Sequence, residues 1–313
     1  MSPPWLELRR GEAPLILSLP HTGTEIPPRI EADLVSPRRA RQDADWWVER
    51  LYAFAGELDA TVIRTSISRT VIDVNRDPSG ASLYPGQATT ELCPTISFDG
   101  EPLYLPGRAP DAAEVARRKA LYFAPYHAAL EAEIARLRSG HPRVVLYDAH
   151  AIRSRIPRLF EGELPQLNLG THGGASCDPA LAKAVEALCT GSPFSHVVNG
   201  RFKGGWITRH YGAPDLGVHA LQMELACRGY MNEPAGPLER VAFVRNQPGA
   251  SQRAQEPKDR ARFSVFADST KTHRALDAAT WPTPFDPDRA APLAAVLRAI
   301  LNACLRFASP GAA

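Results

Sequence analysis

The chain has 313 residues, 44% of them hydrophobic, so it can bury a large core, and its length suits one big α/β domain as well as two ordinary ones. Its 36 basic and 34 acidic residues leave a net charge of +2 with no block of like charges; this gives no electrostatic footprint for nucleic acid or an anionic membrane, and a small molecule is the expected partner. Five cysteines without a CxxC pair argue against a disulfide framework or thiolate metal site, and with no apolar leader and no run near the ~20 apolar residues that span a bilayer, the cytoplasm is the expected location.

In chain order, Leu15-Ile16-Leu17-Ser18-Leu19 reads as a short buried strand that Pro20-His21-Thr22-Gly23 ends with turn chemistry, placing His21 where a strand stops. A helix is expected from Ser36-Pro37, with Trp47, Leu51, Phe54 and Leu58 on one apolar stripe and Asp43 and Asp45 in its first turns. Residues 61–67 and 70–74 are β-branched runs read as strands, the second stopped by Asn75-Arg76-Asp77-Pro78. The Pro- and Gly-rich stretch 78–110 reads as a long excursion. A helical region follows over about 111–138, kinked at Pro125 and ended by Gly140 and Pro142.

Val144-Val145-Leu146-Tyr147 is then an apolar strand terminating at Asp148-Ala149-His150. A helix followed by such a strand suggests a crossover unit, and ligands of open α/β sheets bind beyond the carboxyl ends of the strands, where both His21 and His150 fall. Asp178-Pro179 makes an N-cap and N1 pair for a helix carrying Leu181, Val185 and Leu188, and residues 195–198 form the next strand. Over residues 218–225, Leu221, Met223 and Leu225 alternate with Ala220, Gln222 and Glu224, so Glu224 projects away from an apolar layer. Residues 234–287 lack periodicity and read as an irregular insertion, and a last helix over 292–307 carries Leu293, Leu297, Ile300 and Cys304 on one stripe.

The GxSxG, HExxH, GxxxxGK[ST] and GxGxxG signatures are all missing, which removes weight from serine hydrolase, zincin, P-loop and dinucleotide-binding readings. Taken singly, His21 and His150 stand equally as hydrogen-bonded core histidines or as ligands. As a pair at strand ends they point to a catalytic metal site, which takes three N or O ligands and leaves a position for water. Asp45, Asp43, Glu25 and Asp148 are the carboxylates available for the third place, and Asp148 could instead orient His150. An acid on a central strand is costly to bury unless paired or used, so Glu224 is read as a general base in preference to an ion pair with arginine. Arg69, Asn75, Arg76, Arg201 and Arg209 form, as a group, a set able to clamp carboxylates.

Several segments together resemble the N-formylglutamate deformylase (N-formylglutamate amidohydrolase) family. They include Ser18-Leu19-Pro20-His21-Thr22-Gly23-Thr24, Asp43-Ala44-Asp45-Trp46, Ser68-Arg69-Thr70-Val71-Ile72-Asp73-Val74-Asn75-Arg76-Asp77-Pro78 and Asp148-Ala149-His150-Ala151-Ile152-Arg153-Ser154. Others are Leu167-Asn168-Leu169-Gly170-Thr171, the stretch 199–212 and His219-Ala220-Leu221-Gln222-Met223-Glu224-Leu225, in the family's order over about residues 14–232. The resemblance implies one α/β amidohydrolase domain over 1–313. Its mixed, mostly parallel central sheet would be flanked by helices, similar to zinc carboxypeptidase-like (phosphorylase/hydrolase-like) folds. The implied activity is hydrolysis of the amide of N-formyl-L-glutamate to formate and L-glutamate, in histidine degradation. A divalent metal, with zinc the first expectation, would be held by His21, Asp45 and His150; Glu224 and Arg76 would be catalytic; and Arg69, Asn75, Arg76, Arg201 and Arg209 would bind substrate. The chain departs from the family pattern at His172-Gly173, which bears on substrate choice. The alternatives are a deacylase for another N-acyl acidic amino acid and a non-enzymatic amino-acid-binding protein of the same fold.

Overall fold

The computed structural model describes residues 3–234, 238 and 281–309. In chain order these form β1 (Leu6–Arg9), β2 (Leu15–Leu19), α1 (Pro28–Glu31), α2 (Val48–Leu51), β3 (Thr61–Thr65), α3 (Ala112–Arg118), α4 (Ala124–Gly140) and β4 (Val144–Ile152). There follow β5 (Leu167–Gly170), α5 (Pro179–Thr190), β6 (His196–Val198), α6 (Trp206–Tyr211), β7 (Val218–Ala226) and α7 (Pro287–Ala308). The strands make one seven-stranded sheet in the order β1-β3-β2-β4-β7-β5-β6. Only the β1–β3 and β5–β7 pairs are antiparallel, so the sheet is mixed and mostly parallel, as expected.

Period-two alternation along β2, β4 and β7 divides the interior in two. Leu15, Leu17, Tyr147, Ala149, Leu221, Met223 and Leu225 point to a core shared with α2, α5 and α7. On the other face Ile16, Val144, Leu146 and Ala220 pack against α4 and α6. Toward the carboxyl ends of the same three strands that second face turns polar, presenting Ser18, Asp148, His150, Gln222 and Glu224, all buried. The apolar half drives burial; the polar half is held in place by it.

Several expectations need correction. The helix foreseen from residue 36 is broken into the short turns Arg39–Arg41, α2 and Ala53–Leu58. Asp45 N–H bonds the His21 carbonyl at 2.9 Å instead of a carbonyl four residues back, and Trp47 turns left-handed at φ 65. Residues 70–74 are not a strand but a buried loop: the Thr70 hydroxyl bonds the Ala40 carbonyl at 2.6 Å, and Val71 N–H bonds Ser68 O at 2.9 Å. The bend in the long helical region is a π-helical turn, Lys119–Phe123, with Pro125 in the first turn of α4, where its missing N–H costs nothing. His150 lies inside β4, which runs on to Ile152, and α7 begins at Pro287 because Asp286 caps it, with Pro292 within its opening turns. At 22 residues α7 is long and apolar enough to cross a membrane by length and composition, against the sequence reading, but Leu293, Leu297, Ile300 and Cys304 are buried in the core. The irregular stretch 234–287 lies almost wholly outside the described residues.

The loop that carries Asn75 is pinned from below by His127 on α4. Its ring donates to the Val74 carbonyl at 2.8 Å, leaving the other nitrogen to accept from the Tyr211 hydroxyl at 2.9 Å, and it stacks on Phe123 with centroids 4.1 Å apart. Burial pushes its pKa down from 6.5 to about 4, against the pull of the Val74 carbonyl. The unfolded chain therefore takes up a proton near pH 6.5 that the native state refuses until about pH 4, so stability present above pH 6.5 is lost as pH falls through that window. The shift corresponds to about 3 kcal/mol at most. Denaturant titrations at pH 7 and pH 4.5 should show a steeper acid loss for the parent protein than for His127→Gln; equal losses would contradict this account.

Candidate active site

Register explains how residues remote in sequence meet. In the parallel β4–β7 pair His150 stands opposite Glu224 and Asp148 opposite Gln222, while Ser18 of β2 pairs with Asp148 on the other side. His21 follows β2 in a tight turn; Gly23 is required there, since a Cβ would lie 2.4 Å from the Ile67 carbonyl oxygen. The Asp45 N–H bond to His21 O then brings Asp45 to both histidines, with Oδ2 2.9 Å from His150 Nδ1 and 3.7 Å from His21 Nδ1.

Each imidazole is backed by a second carboxylate. His21 Nε2 donates to Asp73 Oδ1 at 2.7 Å, and His150 Nε2 donates to Asp148 Oδ2 at 2.9 Å. Both bonds commit the Nε2 protons outward and leave the Nδ1 atoms facing Asp45. Ligand atoms of His21, Asp45 and His150 all lie within 4.8 Å of one another, and His21 Nδ1 and Asp45 Oδ1 are buried with no hydrogen-bond partner among the described residues. Two ring nitrogens and a carboxylate converging in a buried site fit a divalent cation, and the N/O donor set is that of a catalytic metal site. Burial works against charge on His150, yet Asp148 and Asp45 raise its pKa well above the ordinary value; burial likewise opposes ionisation of Asp45, but His21 and His150 hold it well below.

Asp73, buried completely, is the hub that sequence reasoning quoted in a motif but gave no role. Besides His21 it accepts from Arg69 Nη2 at 2.7 Å and from the Asn75 N–H at 2.9 Å, and Arg76 Nε lies 3.7 Å away. Asn75 Nδ2 donates to Asp148 Oδ2 at 2.9 Å and lies 2.9 Å from His150 Nε2, and its Oδ1 accepts from Ile207 N–H at 2.7 Å. Gly205 makes room for it, because a Cβ there would be 2.4 Å from Nδ2. Asn75 is thus a brace of the cluster as well as a residue of the cleft lining.

A cleft of about 580 Å³, counted to its mouth, opens over the cluster. His21, His150, Arg69, Asn75, Arg76, Arg201 and Glu224 all line it. Burial raises the Glu224 carboxyl from 4.5 to about 8, with Asp45 and Asp148 adding to the shift and His150 and Arg69 opposing it. Of the other carboxylates, Glu25 is exposed, and Asp43 accepts from Phe98 N–H at 2.7 Å and faces Arg153, away from both histidines. Arg209 does not line the cleft: it donates to the carbonyls of Gly204 and Leu83, both at 2.9 Å. His172 and Gly173 form an exposed turn and do not line it either.

A mixed α/β sheet with a His-Asp-His cluster, a buried glutamate and several arginines at the carboxyl edge of its parallel strands has the layout of an amide-bond hydrolase. The N-formylglutamate amidohydrolase family model matches residues 13–231. The chain is 51% identical over 231 residues to the N-formylglutamate deformylase of Pseudomonas aeruginosa PAO1, covering 74% of this chain and 86% of that one. To the N-formylglutamate deformylase of Pseudomonas putida it is 47% identical over 229 residues, covering 73% and 85%. A crystal structure of an N-formylglutamate amidohydrolase from Ralstonia eutropha JMP134 aligns with a TM-score of 0.61 at 27% identity, over 72% of this chain and 87% of that one. The gene product Atu2144 of Agrobacterium tumefaciens, at 21% identity and a TM-score of 0.55 over 71% and 84%, shares the fold. The chain belongs to the N-formylglutamate amidohydrolase family.

The bond from Asp73 to His21 gives a direct test. Asp73→Asn keeps shape but removes the charge, and should weaken binding of a divalent ion by roughly 10- to 100-fold. Chelator competition on the purified protein measures this, and an unchanged affinity would remove Asp73 from the site.

Proposed function

We propose that the protein hydrolyses the formamide bond of N-formyl-L-glutamate, yielding formate and L-glutamate, with a divalent metal, zinc first among candidates, held by His21, Asp45 and His150. The observation that carries this reading is the union, in one cleft, of the converging His-Asp-His donors with Glu224, Arg69, Arg76 and Arg201. Family membership supports the choice of substrate.

A bound ion of this kind supplies Lewis acidity and brings the pKa of a water down to about 7. The remaining steps belong to side chains. Glu224, opposite His150 in the sheet, takes the proton of the attacking water and delivers it to the departing amine nitrogen. Its burial suits both tasks, because a carboxyl held near neutrality can accept a proton and give it back. Asn75 and Arg76 orient the substrate, and Arg76 stabilises the negative charge that grows on the formyl oxygen. Arg201, with Arg69 at the base of the cleft, receives carboxylate charge. Arg209 has a supporting place in this scheme, through the carbonyls it holds. A formyl group offers little surface to recognise, so discrimination rests on the two carboxylates of the glutamate part. The overall fold is proposed to act as one amidohydrolase domain in the cytoplasm, and the reaction is proposed to belong to histidine degradation.

Two measurements test this. Glu224→Gln should lower turnover of N-formylglutamate by about 10²- to 10⁴-fold while bound metal is retained, and formate release should stop in chelator and return with added zinc. Full activity in chelator would sink the mechanism. Equal turnover of N-acetylglutamate or N-formylaspartate would favour the sister-deacylase alternative.

A further inference from the structure

The guanidiniums that face the cleft are held in an uneven way. Arg69 is tied to carboxylates, whereas Arg201 has no ion pair among the described residues and donates only to backbone carbonyls: Nη2 to Ala88 and Nε to Leu159, both at 2.8 Å. Arg76 gives Nε to the Thr90 carbonyl and Nη2 to the Thr90 hydroxyl, both at 3.1 Å. Arg209 gives Nη1 to the Leu83 carbonyl. Three arginines therefore grip one irregular segment, residues 83–90. In Arg76 and Arg201 the Nη1 group is left without a protein partner among the described residues.

Tyr84 fastens that segment. Its hydroxyl donates to the Gly204 carbonyl at 2.9 Å and accepts from the Lys203 N–H at 3.1 Å. Its ring lies beneath two guanidiniums, with Arg209 Cζ 4.8 Å and Arg201 Cζ 5.4 Å from the centroid. It also lines the cleft, so one side chain touches the strap, the loop before α6 and the cation that faces the ligand.

The geometry points to Tyr84 and the strap 83–90 as the specificity-determining element of the cleft, a positioning device that sets Arg201 to receive a carboxylate of an acidic N-formyl amino acid. This rests on the N-formyl amino acid reading of the cleft. The physical argument is preorganisation. Backbone carbonyls fix the orientation of the Arg201 guanidinium without cancelling its charge, as a carboxylate partner would, so its remaining donors meet an incoming anion already aligned. Burial holds the pKa of Arg201 below its usual value, and the nearby charge of Arg76 adds to this, yet a guanidinium stays charged at any working pH. A half-buried cation with carbonyl partners alone gains from a carboxylate arriving beside it.

The experiment uses purified, metal-loaded protein and two readouts. The first is binding of glutarate, a five-carbon dicarboxylate without a scissile bond; the second is KM and kcat for N-formyl-L-glutamate and N-formyl-L-methionine, which share the formamide but differ in the distal carboxylate. Tyr84→Ala should weaken glutarate binding and raise KM for N-formylglutamate by roughly tenfold or more, with kcat within about threefold, and the preference over N-formylmethionine should shrink by the same factor. Tyr84→Phe, which keeps the ring between the guanidiniums and loses only the hydroxyl latch, should fall between the parent and Tyr84→Ala. The inference is overturned if glutarate binds parent and Tyr84→Ala equally or binds neither, or if both substrates lose kcat alike. Glutarate binding that depends on Tyr84 in a protein that releases no formate would uphold the strap and reject the deformylase reading.

Discussion

Four buried carboxylates, those of Asp45, Asp73, Asp148 and Glu224, share one end of the sheet, and the rest of the molecule is arranged around the need to neutralise them. An unpaired charge in such a place costs several kcal/mol, so each must find a cation, a donor or a proton. Asp73 finds Arg69 and His21, Asp148 finds Ser18, Asn75 and His150, and Asp45 faces both imidazoles. Among the described residues Glu224 has only the long bond from Gln222, at 3.3 Å, and responds to burial by holding a proton more tightly. The carboxylates behind the histidines bond the outer ring nitrogens and so turn the inner ones toward Asp45, as the proposed metal site requires.

The same cleft is divided by charge. Its floor, at the strand ends, is acidic and suited to a cation; its far wall, built from the Asn75 loop, the strap and the segment before α6, is basic and suited to carboxylates. A zwitterion-like separation of this kind favours a ligand with a carbonyl near one end and negative charge beyond it. The two halves are joined through the loop 73–76, where Asp73 belongs to the acidic floor and Arg76 to the basic wall. His127 holds that loop from beneath by bonding the Val74 carbonyl, which links the packing of α4 and α6 to the geometry of the cleft.

Much of this was legible in the sequence because strands write their period locally. The run Leu15–Leu19, the apolar start of β4 and the alternation in β7 identify three strands, their carboxyl ends and the polar face on which Glu224 lies. What failed failed for a common reason. The stripe Trp47, Leu51, Phe54 and Leu58 has helical spacing, but a backbone donor needed for a long helix is bonded to His21 instead. Residues 70–74 have the composition of a strand, but the Thr70 hydroxyl bonds Ala40, the Thr70 and Val71 amides bond Ser68, and the Asp73 amide bonds Leu92. Tertiary partners overrode local propensity in both cases.

Within the sequence, local pattern determined the placing of His21, His150 and Glu224 near the ends of strands, family resemblance implied the mixed, mostly parallel sheet, and the composition supplied the arginines. Only the tertiary structure showed that Asp45 stands beside both histidines while Asp43, two positions before it with the same chemistry, faces Arg153. It alone revealed Asp73 behind His21, a contact across 52 residues, and the bond from Asp45 to His150 across 105. It also separated Arg76 and Arg201, which line the cleft, from Arg209, which stands behind Tyr84. Local pattern records period, turns and burial; which charges meet is settled by strand register and loop path, and those exist only once the chain has folded.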